Sequence, residues 1–282
     1  APGAVVARHV AGQDNARITA GVGHRAVVLG PVFVRPPPSR GRGVAVGGTA
    51  TSHESVAAVE ELMRTWGKTT VRCTSTPGFI VNRVARPFYG EAQRMVEAGV
   101  ADAATIDFAI REIGGFRMGP MELTDLIGQD VNLAVSTSVW EQTGRDERYA
   151  PTEFQRRLVA DGHLGRKSGQ GVFRYDGAGH AIDALPDKVL AAELASGPTL
   201  TNPLGRTLAM LVNEAVDLVA RREASAEDVD TAMELGTNFP KGPIAWGTEI
   251  GFDVIATQLG QLDAAFPGGR YRPSPALTWK ER

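Results

Sequence analysis

The stretch that decides the fold is Thr76-Pro77-Gly78-Phe79-Ile80-Val81-Asn82-Arg83. Pro77 suits the first turn of a helix, and Thr76 is a residue type that caps one. Apolar residues then recur at helical spacing, which predicts a helix starting at Pro77 and helical structure as far as about Gly128. The members of this apolar stripe are Ile80, Val81, Val84, Phe88, Ala92, Met95 and Val96.

The stretch opens a segment that the chain contains twice. When the sequence is shifted by 123 residues it matches itself without a gap over more than forty residues. A fixed register of this length indicates duplication of a helical unit, and two such units usually bury their apolar faces on each other. The simplest role for the shared residues is therefore packing and capping. The matched positions include Arg83 with Arg206, Glu91 with Glu214, Asp107 with Asp230, Phe116 with Phe239, and Gly119-Pro120 with Gly242-Pro243.

Residues before this unit are of a different kind. Residues 1 to about 50 are rich in Gly, Arg and Pro and show little periodicity, which predicts loop or disorder. A helix capped by Thr51-Ser52, a turn at Gly67 and a short strand over Thr69–Cys73 then resemble the last unit of an α/β domain. We therefore expect a mainly α protein with a remnant α/β edge. Its predicted parts are residues 1–74, partly disordered, and two helical domains over 75–180 and 198–282.

Composition excludes several classes of function. The 282 residues carry a net charge of −2, which gives no reason for bulk attraction to nucleic acid or to an anionic membrane. No signal peptide or membrane-spanning run is expected. The single cysteine, Cys73, allows no internal disulfide and fits a reducing, cytoplasmic location.

Two glycine-rich segments could bind phosphate. Gly21-Val22-Gly23-His24-Arg25-Ala26 fits the dinucleotide pattern, but prolines follow it and no acidic residue lies near position 45. Gly165-Arg166-Lys167-Ser168-Gly169-Gln170-Gly171 lacks the spacing of a P-loop. We interpret the first as coincidence and the second as a tight basic turn, for which contact with the phosphates of CoA is a secondary possibility.

Few side chains point to catalysis from the residues alone. No two of the five histidines lie at metal-ligand spacing, so no metal site is expected. Glu91 and Glu214 could do acid–base work, although duplication explains them more simply. Asn82 is different, because the second copy has Gly205 there. Its amide could orient a catalytic group or donate to a carbonyl, with a local cap as the simpler alternative.

At this point the motifs resemble a known family. The stretch from Thr76 to Arg83 resembles the opening of the C-terminal domain of NAD-dependent 3-hydroxyacyl-CoA dehydrogenases. Three further segments continue the likeness, and the second copy is similar to the duplicated domain of some bacterial members. These segments are Glu97-Ala98-Gly99-Val100, Gly119-Pro120-Met121-Glu122-Leu123-Thr124-Asp125 and the Gly165–Phe173 run.

The resemblance implies a fold and a reaction. The fold would be two helical domains similar to the C-terminal domain of 6-phosphogluconate dehydrogenase. The reaction would oxidise a 3-hydroxyacyl-CoA with NAD to a 3-oxoacyl-CoA, in fatty-acid or aromatic-acid catabolism, including β-oxidation. Asn82 would lie near the catalytic histidine and the thioester. The partners would be an acyl-CoA and a second copy of the chain, bound through the helical domains.

The same comparison shows departures. By gap-free counting, the family's catalytic histidine falls on Val32 and its glutamate on Val44. Only Asn82 is carried over, as an auxiliary residue, and NAD binding by this chain is expected to be weak or absent. The chain is then either a diverged or truncated member, or one whose first fifty residues are mistranslated. The alternative function is a catalytically inactive dimerisation or acyl-CoA-binding module.

Overall fold

The computed structural model describes residues 6–7, 28–29, 42–47 and 53–278, with side chains from residue 56 onward except residue 59. Helices account for most of this part of the chain, which confirms the prediction of a mainly α fold. Among the described residues, no helix combines the length and the apolar character needed to cross a bilayer.

A small sheet precedes the helices. Its strands are β1 (Val6–Ala7), β2 (Val28–Leu29), β3 (Arg42–Gly47) and β4 (Thr69–Thr74), hydrogen-bonded in that order. Helix α1 (His53–Thr65) connects β3 to β4, which run parallel, as the predicted strand–helix–strand unit requires. The proposed cap at Thr51-Ser52 lies outside the described residues.

The prediction of loop was wrong for the three strands within the first fifty residues. The longest, β3, pairs with β4 along its whole length, from Arg42 opposite Thr69 to Gly47 opposite Thr74. The run Val44-Ala45-Val46 has the β-branched character that favours a strand, but its Gly and Arg neighbours obscured it. The remaining residues of this segment lie outside the described part.

The first copy is an array of helices that follows β4. Its elements are α2 (Val81–Val84), α3 (Arg86–Glu97), α4 (Ala103–Phe108) with a π-helical turn over Ala109–Ile113, α5 (Pro120–Ile127), α6 (Gln129–Gln142) and α7 (Glu153–Ala160). Short 3-10 turns occupy Glu147–Tyr149 and Arg166–Ser168, and α8 (Lys188–Ser196) leads to the second copy.

The second copy repeats the same order with fewer elements. It comprises α9 (Pro203–Ala220), α10 (Ala226–Thr237), α11 (Pro243–Ile250), α12 (Phe252–Ala265) and a 3-10 turn over Pro275–Thr278. Strand β4 contacts this copy as well, since the backbone N–H of Arg72 donates to Asp228 (3.1 Å) and that of Thr74 to the carbonyl of Glu223 (2.8 Å). The α/β edge is therefore hydrogen-bonded to the second copy, although it precedes the first copy in the chain.

The repeated aspartates are helix caps, as the capping interpretation expected. Asp107 accepts hydrogen bonds from the backbone N–H groups of Met121 and Glu122 (2.9 and 2.8 Å) at the start of α5. Asp230 does the same for Ile244 and Ala245 (2.8 and 3.0 Å) at the start of α11. The preceding glycines are needed for this approach, because a Cβ on Gly119 would lie 2.2 Å from the Asp107 carboxyl carbon.

Charged side chains of the two copies form ion pairs across the interface between them. Arg83 of the first copy reaches Glu214 of the second (2.5 Å), and Arg206 of the second reaches Glu91 of the first (2.8 Å). These four residues are the pairs that the 123-residue shift aligns, and all four side chains are nearly inaccessible to solvent. The duplicated positions therefore bind each other crosswise.

Each buried glutamate has further partners, all from the opposite copy. Glu91 accepts hydrogen bonds from the Arg270 guanidinium (2.5 Å) and the Tyr271 hydroxyl (2.8 Å). Glu214 accepts from the Tyr149 hydroxyl and lies 3.6 Å from Arg148. Each Arg-Tyr pair thus supplies a cation and a hydroxyl to one carboxylate.

Aromatic rings fill the centre of the same interface. Phe116 and its repeat partner Phe239 meet edge to face with ring centroids 5.0 Å apart. Phe88 lies 5.0 Å from Phe116 and 5.2 Å from Phe239, and Trp246 lies 5.5 Å from Phe116. Since burial of such rings is a large stabilising contribution, the two copies share one hydrophobic core.

Replacing Glu91 by Gln should lower the free energy of unfolding by about 3–5 kcal/mol, because Arg206 and Arg270 would stay buried without their carboxylate. Urea unfolding followed by circular dichroism measures this loss. Glu61→Gln is the matched control, since Glu61 pairs with Arg64 at an exposed site and should contribute less than about 1 kcal/mol. Equal losses in the two variants would contradict the interface described here.

The acid sensitivity of the fold should depend on the same residue. Burial alone would raise the pKa of Glu91, but the charges of Arg270 and Arg206 outweigh burial and lower it from 4.5 to about 2. Because the folded pKa lies below the unfolded one, the stabilisation is complete above about pH 4.5 and is lost as the pH falls towards 2.

Urea unfolding at a series of pH values between about 6 and about 2 tests this expectation. This range covers the unfolded pKa of Glu91, 4.5, and extends to its folded pKa of about 2. The free energy of unfolding of the wild-type chain should fall more steeply across this window than that of Glu91→Gln, which has no carboxylate to protonate. Parallel pH profiles for the two proteins would show that Glu91 does not contribute.

Candidate functional site

The first copy begins with a turn that the helix prediction placed inside a helix. Gly78 has φ +76° and Phe79 has φ +49°, so two consecutive residues adopt left-handed conformations. Helix α2 therefore begins at Val81, and Thr76 does not cap it. A Cβ at Gly78 would lie 3.0 Å from the backbone nitrogen of Arg83 and 3.1 Å from Val139, which explains why glycine stands there.

This turn contains two buried apolar side chains, and the side-chain amide of Asn82 follows it in the chain. Phe79 and Ile80 are buried, and strain in a non-glycine residue such as Phe79 is retained only where the surroundings enforce it. Asn82 follows on α2 and is half-buried. Within residues 60–278 its side chain makes no hydrogen bond, so the local cap proposed as the simpler alternative is not formed.

The residues and the helix cap differ at the corresponding positions of the second copy. Gly205 replaces Asn82, and the asparagine that caps α9 is Asn202, whose side-chain oxygen accepts from the backbone N–H of Gly205 (2.8 Å). An amide therefore serves as a structural cap in the second copy, whereas the Asn82 side chain makes no hydrogen bond within residues 60–278. The two copies are not equivalent at this point.

The paired glutamates do not form an acid–base pair. Glu91 and Glu214 are both held by cations of the opposite copy, and the pKa of Glu91 is about 2 because Arg270 and Arg206 outweigh its burial. A carboxylate with such a pKa keeps its charge at neutral pH and exchanges no proton there. Duplication and packing, the simpler interpretation, account for both residues.

The basic turn over residues 165–171 wraps around a carboxylate and not around a phosphate. Asp125 accepts hydrogen bonds from the backbone N–H groups of Val172 (2.9 Å) and Phe173 (3.0 Å) and from the Tyr175 hydroxyl (2.8 Å). A Cβ on Gly171 would lie 2.0 Å from Asp125. The turn's cations are also paired, Arg166 with Glu122 and Lys167 with Asp130. The interpretation as a tight structural turn fits this arrangement.

The described residues offer neither a metal site nor a reactive thiol. No group of three or more His, Cys, Asp or Glu side chains within them could hold a metal ion. Cys73 is buried in β4, and burial raises the pKa of its thiol to about 12. It is therefore a small apolar core residue at neutral pH.

The described strands include both parallel and antiparallel neighbours. Strand β1 runs parallel to β2 and β3 runs parallel to β4, whereas β2 runs antiparallel to β3. Val44, the position of the family's glutamate, lies in β3. The glycine pattern over residues 21–26 and Val32 lie outside the described residues.

Sequence reasoning missed two groups of residues. The pairs Arg148-Tyr149 and Arg270-Tyr271 recur at a shift of 122 residues, one less than the main repeat, and a search allowing one gap would have aligned them. Arg86 was also missed. It lies on α3, one helical turn beyond Asn82, and is only 7% exposed.

Comparison with known proteins supports the resemblance stated above. The sequence pattern of the family described as "3-hydroxyacyl-CoA dehydrogenase, C-terminal domain" matches residues 78–175 and again residues 204–280. The chain is 37% identical to 3-hydroxyadipyl-CoA dehydrogenase of Escherichia coli K12, over 89% of this chain and 69% of that protein. It is 36% identical to a probable 3-hydroxybutyryl-CoA dehydrogenase of Deinococcus radiodurans, over 54% of this chain and 55% of that protein.

A solved structure agrees with these relatives. The crystal structure of 3-hydroxybutyryl-CoA dehydrogenase from E. coli K12 superposes with a TM-score of 0.85 at 34% identity, covering 97% of this chain and 74% of that one. Both the sequence pattern, found twice, and the overall fold therefore agree with the residues described above. The chain belongs to the 3-hydroxyacyl-CoA dehydrogenase family and carries the C-terminal domain of that family in two copies.

Proposed function

We propose that residues 75–180 and 198–282 form the substrate-binding and dimerisation part of an NAD-dependent 3-hydroxyacyl-CoA dehydrogenase. The family reaction oxidises a 3-hydroxyacyl-CoA to a 3-oxoacyl-CoA, as in fatty-acid or aromatic-acid breakdown in the cytoplasm. NAD, when bound, accepts the hydride in such a reaction. The role assigned to the two helical copies is binding of the acyl-CoA, and NAD would be held by the nucleotide-binding part of the enzyme.

The observation that carries the proposal is the Asn82 amide. It stands in the first copy without a hydrogen-bond partner among residues 60–278, where the second copy has glycine. An amide N–H can donate to the carbonyl oxygen of a thioester, and such a bond orients the acyl group. The names of the relatives support a thioester ligand, since one is named for 3-hydroxyadipyl-CoA and another for 3-hydroxybutyryl-CoA.

A second candidate function is a catalytically inactive dimerisation or acyl-CoA-binding module. The pairing of Glu91 and Glu214 with arginines favours it, because neither carboxylate is left for acid–base work. Oxidation of NADH by acetoacetyl-CoA, followed by absorbance, separates the two. Turnover by the purified chain at an ordinary enzyme rate would contradict the inactive module, whereas thioester binding without turnover would support it.

Replacing Asn82 by Ala should weaken binding of acetoacetyl-CoA roughly two- to tenfold, the value of one neutral hydrogen bond. Isothermal titration calorimetry on the full chain measures the dissociation constant. Gln142→Ala is the control, because Gln142 is an exposed amide on α6 that donates to the Ser138 hydroxyl (2.7 Å) on the same helix. If wild-type chain fails to bind the thioester at all, the proposed function is wrong. Unchanged affinity in Asn82→Ala would remove Asn82 from the site.

We also expect the chain to form a homodimer through its helical domains. The interface between the copies is already used within one chain, so a dimer would use other apolar side chains. Leu185 and Val189 are 81% and 71% exposed and lie close together in sequence. Light scattering after size-exclusion chromatography should give twice the chain mass of 29.9 kDa. A clean monomer would contradict the expectation.

A further inference from the structure

The link between β4 and α2 has no local cap at its helix end. We call this link, residues 75–80, the β4–α2 linker. In the second copy, Asn202 fixes the start of α9, since its side chain accepts from the backbone N–H of Gly205 (2.8 Å) and donates to the carbonyl of Ala195 (2.6 Å). The shift of 123 residues places Phe79 at that position of the first copy, and among the described residues no side chain caps α2. The start of α2 is therefore not fixed by a side-chain hydrogen bond of the kind that fixes α9.

Glu223 of the second copy contacts the chain on both sides of this linker. Its backbone carbonyl accepts from the N–H of Thr74 (2.8 Å), the last residue of β4. Its carboxylate accepts from Nη1 of Arg83 (2.5 Å), the residue that follows Asn82 on α2. The side chains of this pair are only 15% and 4% exposed, so solvent screens their attraction little. One residue of the second copy thus joins the end of the strand to the helix that carries the amide.

The turn that contains Glu223 does not itself require a carboxylate. In both copies the long helix ends in the same left-handed turn, with Arg222 at φ +58° and Gly99 at φ +68°. The next N–H donates to the carbonyl five residues before it in each case (3.1 and 3.0 Å). That next residue is Glu223 in the second copy and Val100 in the first. Val100 packs against the core, as is usual at this position of such a turn. The contact with Arg83 therefore gives a reason for the glutamate that the turn does not.

The Glu223 contact exists in one direction only, whereas the crosswise ion pairs exist in both. The shift of 123 residues converts the pair of Glu223 with Arg83 into Val100 with Arg206, and a valine cannot pair with a cation. The contact is therefore made only to the copy that carries Asn82. Arg83 keeps its crosswise carboxylate when Glu223 is removed, so the interface between the copies does not depend on this contact.

We propose that Glu223 is a positioning residue for Asn82, because it fixes the β4–α2 linker, and with it the amide, relative to β4. The inference rests on the proposed function, in which that amide binds the thioester. A linker that is already ordered loses less conformational entropy when the ligand binds, and this raises the affinity. The second copy thereby contributes to thioester binding through the placement of a residue of the first copy.

Hydrogen–deuterium exchange of the full chain without ligand, followed by mass spectrometry, tests the contact. In Glu223→Ala the backbone N–H groups of the β4–α2 linker should exchange roughly tenfold or more faster than in wild type, the value of a charge-assisted hydrogen bond. Peptides from α7 and α12 should exchange as in wild type, because the crosswise ion pairs remain. Glu227→Ala, which removes an exposed glutamate of α10, should leave the linker unchanged. Unchanged exchange of the linker in Glu223→Ala, or faster exchange throughout the chain, would overturn the proposal.

Calorimetry with acetoacetyl-CoA tests whether Glu223 acts through Asn82. Glu223→Ala should weaken binding roughly two- to tenfold, and by no more than Asn82→Ala does. In the Asn82→Ala background, Glu223→Ala should weaken binding no further, because the side chain that it positions is gone. A merely structural role would lower the affinity by the same factor in both backgrounds, and such additive losses would overturn the proposal. Equal affinity of Glu223→Ala and the wild-type chain would overturn it as well.

The two measurements separate this proposal from the proposed function. If the wild-type chain does not bind acetoacetyl-CoA, the proposed function fails, and the exchange of the linker still decides whether Glu223 fixes it. If the wild-type chain binds and Glu223→Ala changes neither measurement, the proposed function stands and this proposal falls. Should Glu223→Ala fail to fold, Glu223→Gln keeps an acceptor for Arg83 without the charge. It should show the same two changes to a smaller extent, and no change in either would overturn the proposal.

Discussion

The crosswise ion pairing between the two copies is the interaction on which the helical part of the molecule depends. Glu91 and Glu214 are buried, and every cation and hydroxyl that satisfies them comes from the opposite copy. A buried carboxylate without its partners is strongly destabilising. Neither copy alone could therefore keep its buried glutamate paired in this way. The aromatic rings at the centre of the interface bury apolar surface and exclude water from the ion pairs.

Duplication preserved this framework and let the remaining positions diverge. Both copies keep the aspartate that caps the helix after the Gly-Pro pair, Asp107 in one and Asp230 in the other. Only the first copy has Asn82, and only the first has Asp125 surrounded by the basic turn. The second copy contributes Arg270, whose guanidinium pairs with Glu91 of the first copy.

Two features of the first copy conflict with local preference. Phe79 adopts a left-handed conformation, and Arg86 is buried with no carboxylate within ion-pair distance in the part of the chain that the structure describes. They lie on either side of Asn82, and the backbone there is fixed by the close contact of Gly78 with Arg83 and Val139. Such conflicts are tolerated where the surrounding structure is stable enough to enforce them, and in proteins they concentrate at functional sites.

The helical class, the duplication, the caps at Asp107 and Asp230 and the family could all be predicted from the residues alone, because each depends on residue spacing along the chain. Sequence reasoning misplaced the start of α2, since a left-handed phenylalanine has no local signal, and it overlooked β3, whose pairing with β4 is a contact between distant residues. It identified Arg83, Glu91, Arg206 and Glu214 as equivalent but not as partners. That these four pair crosswise, and that no carboxylate of the described residues reaches Arg86, became evident only from the fold, because charge compensation depends on which side chains the fold brings together.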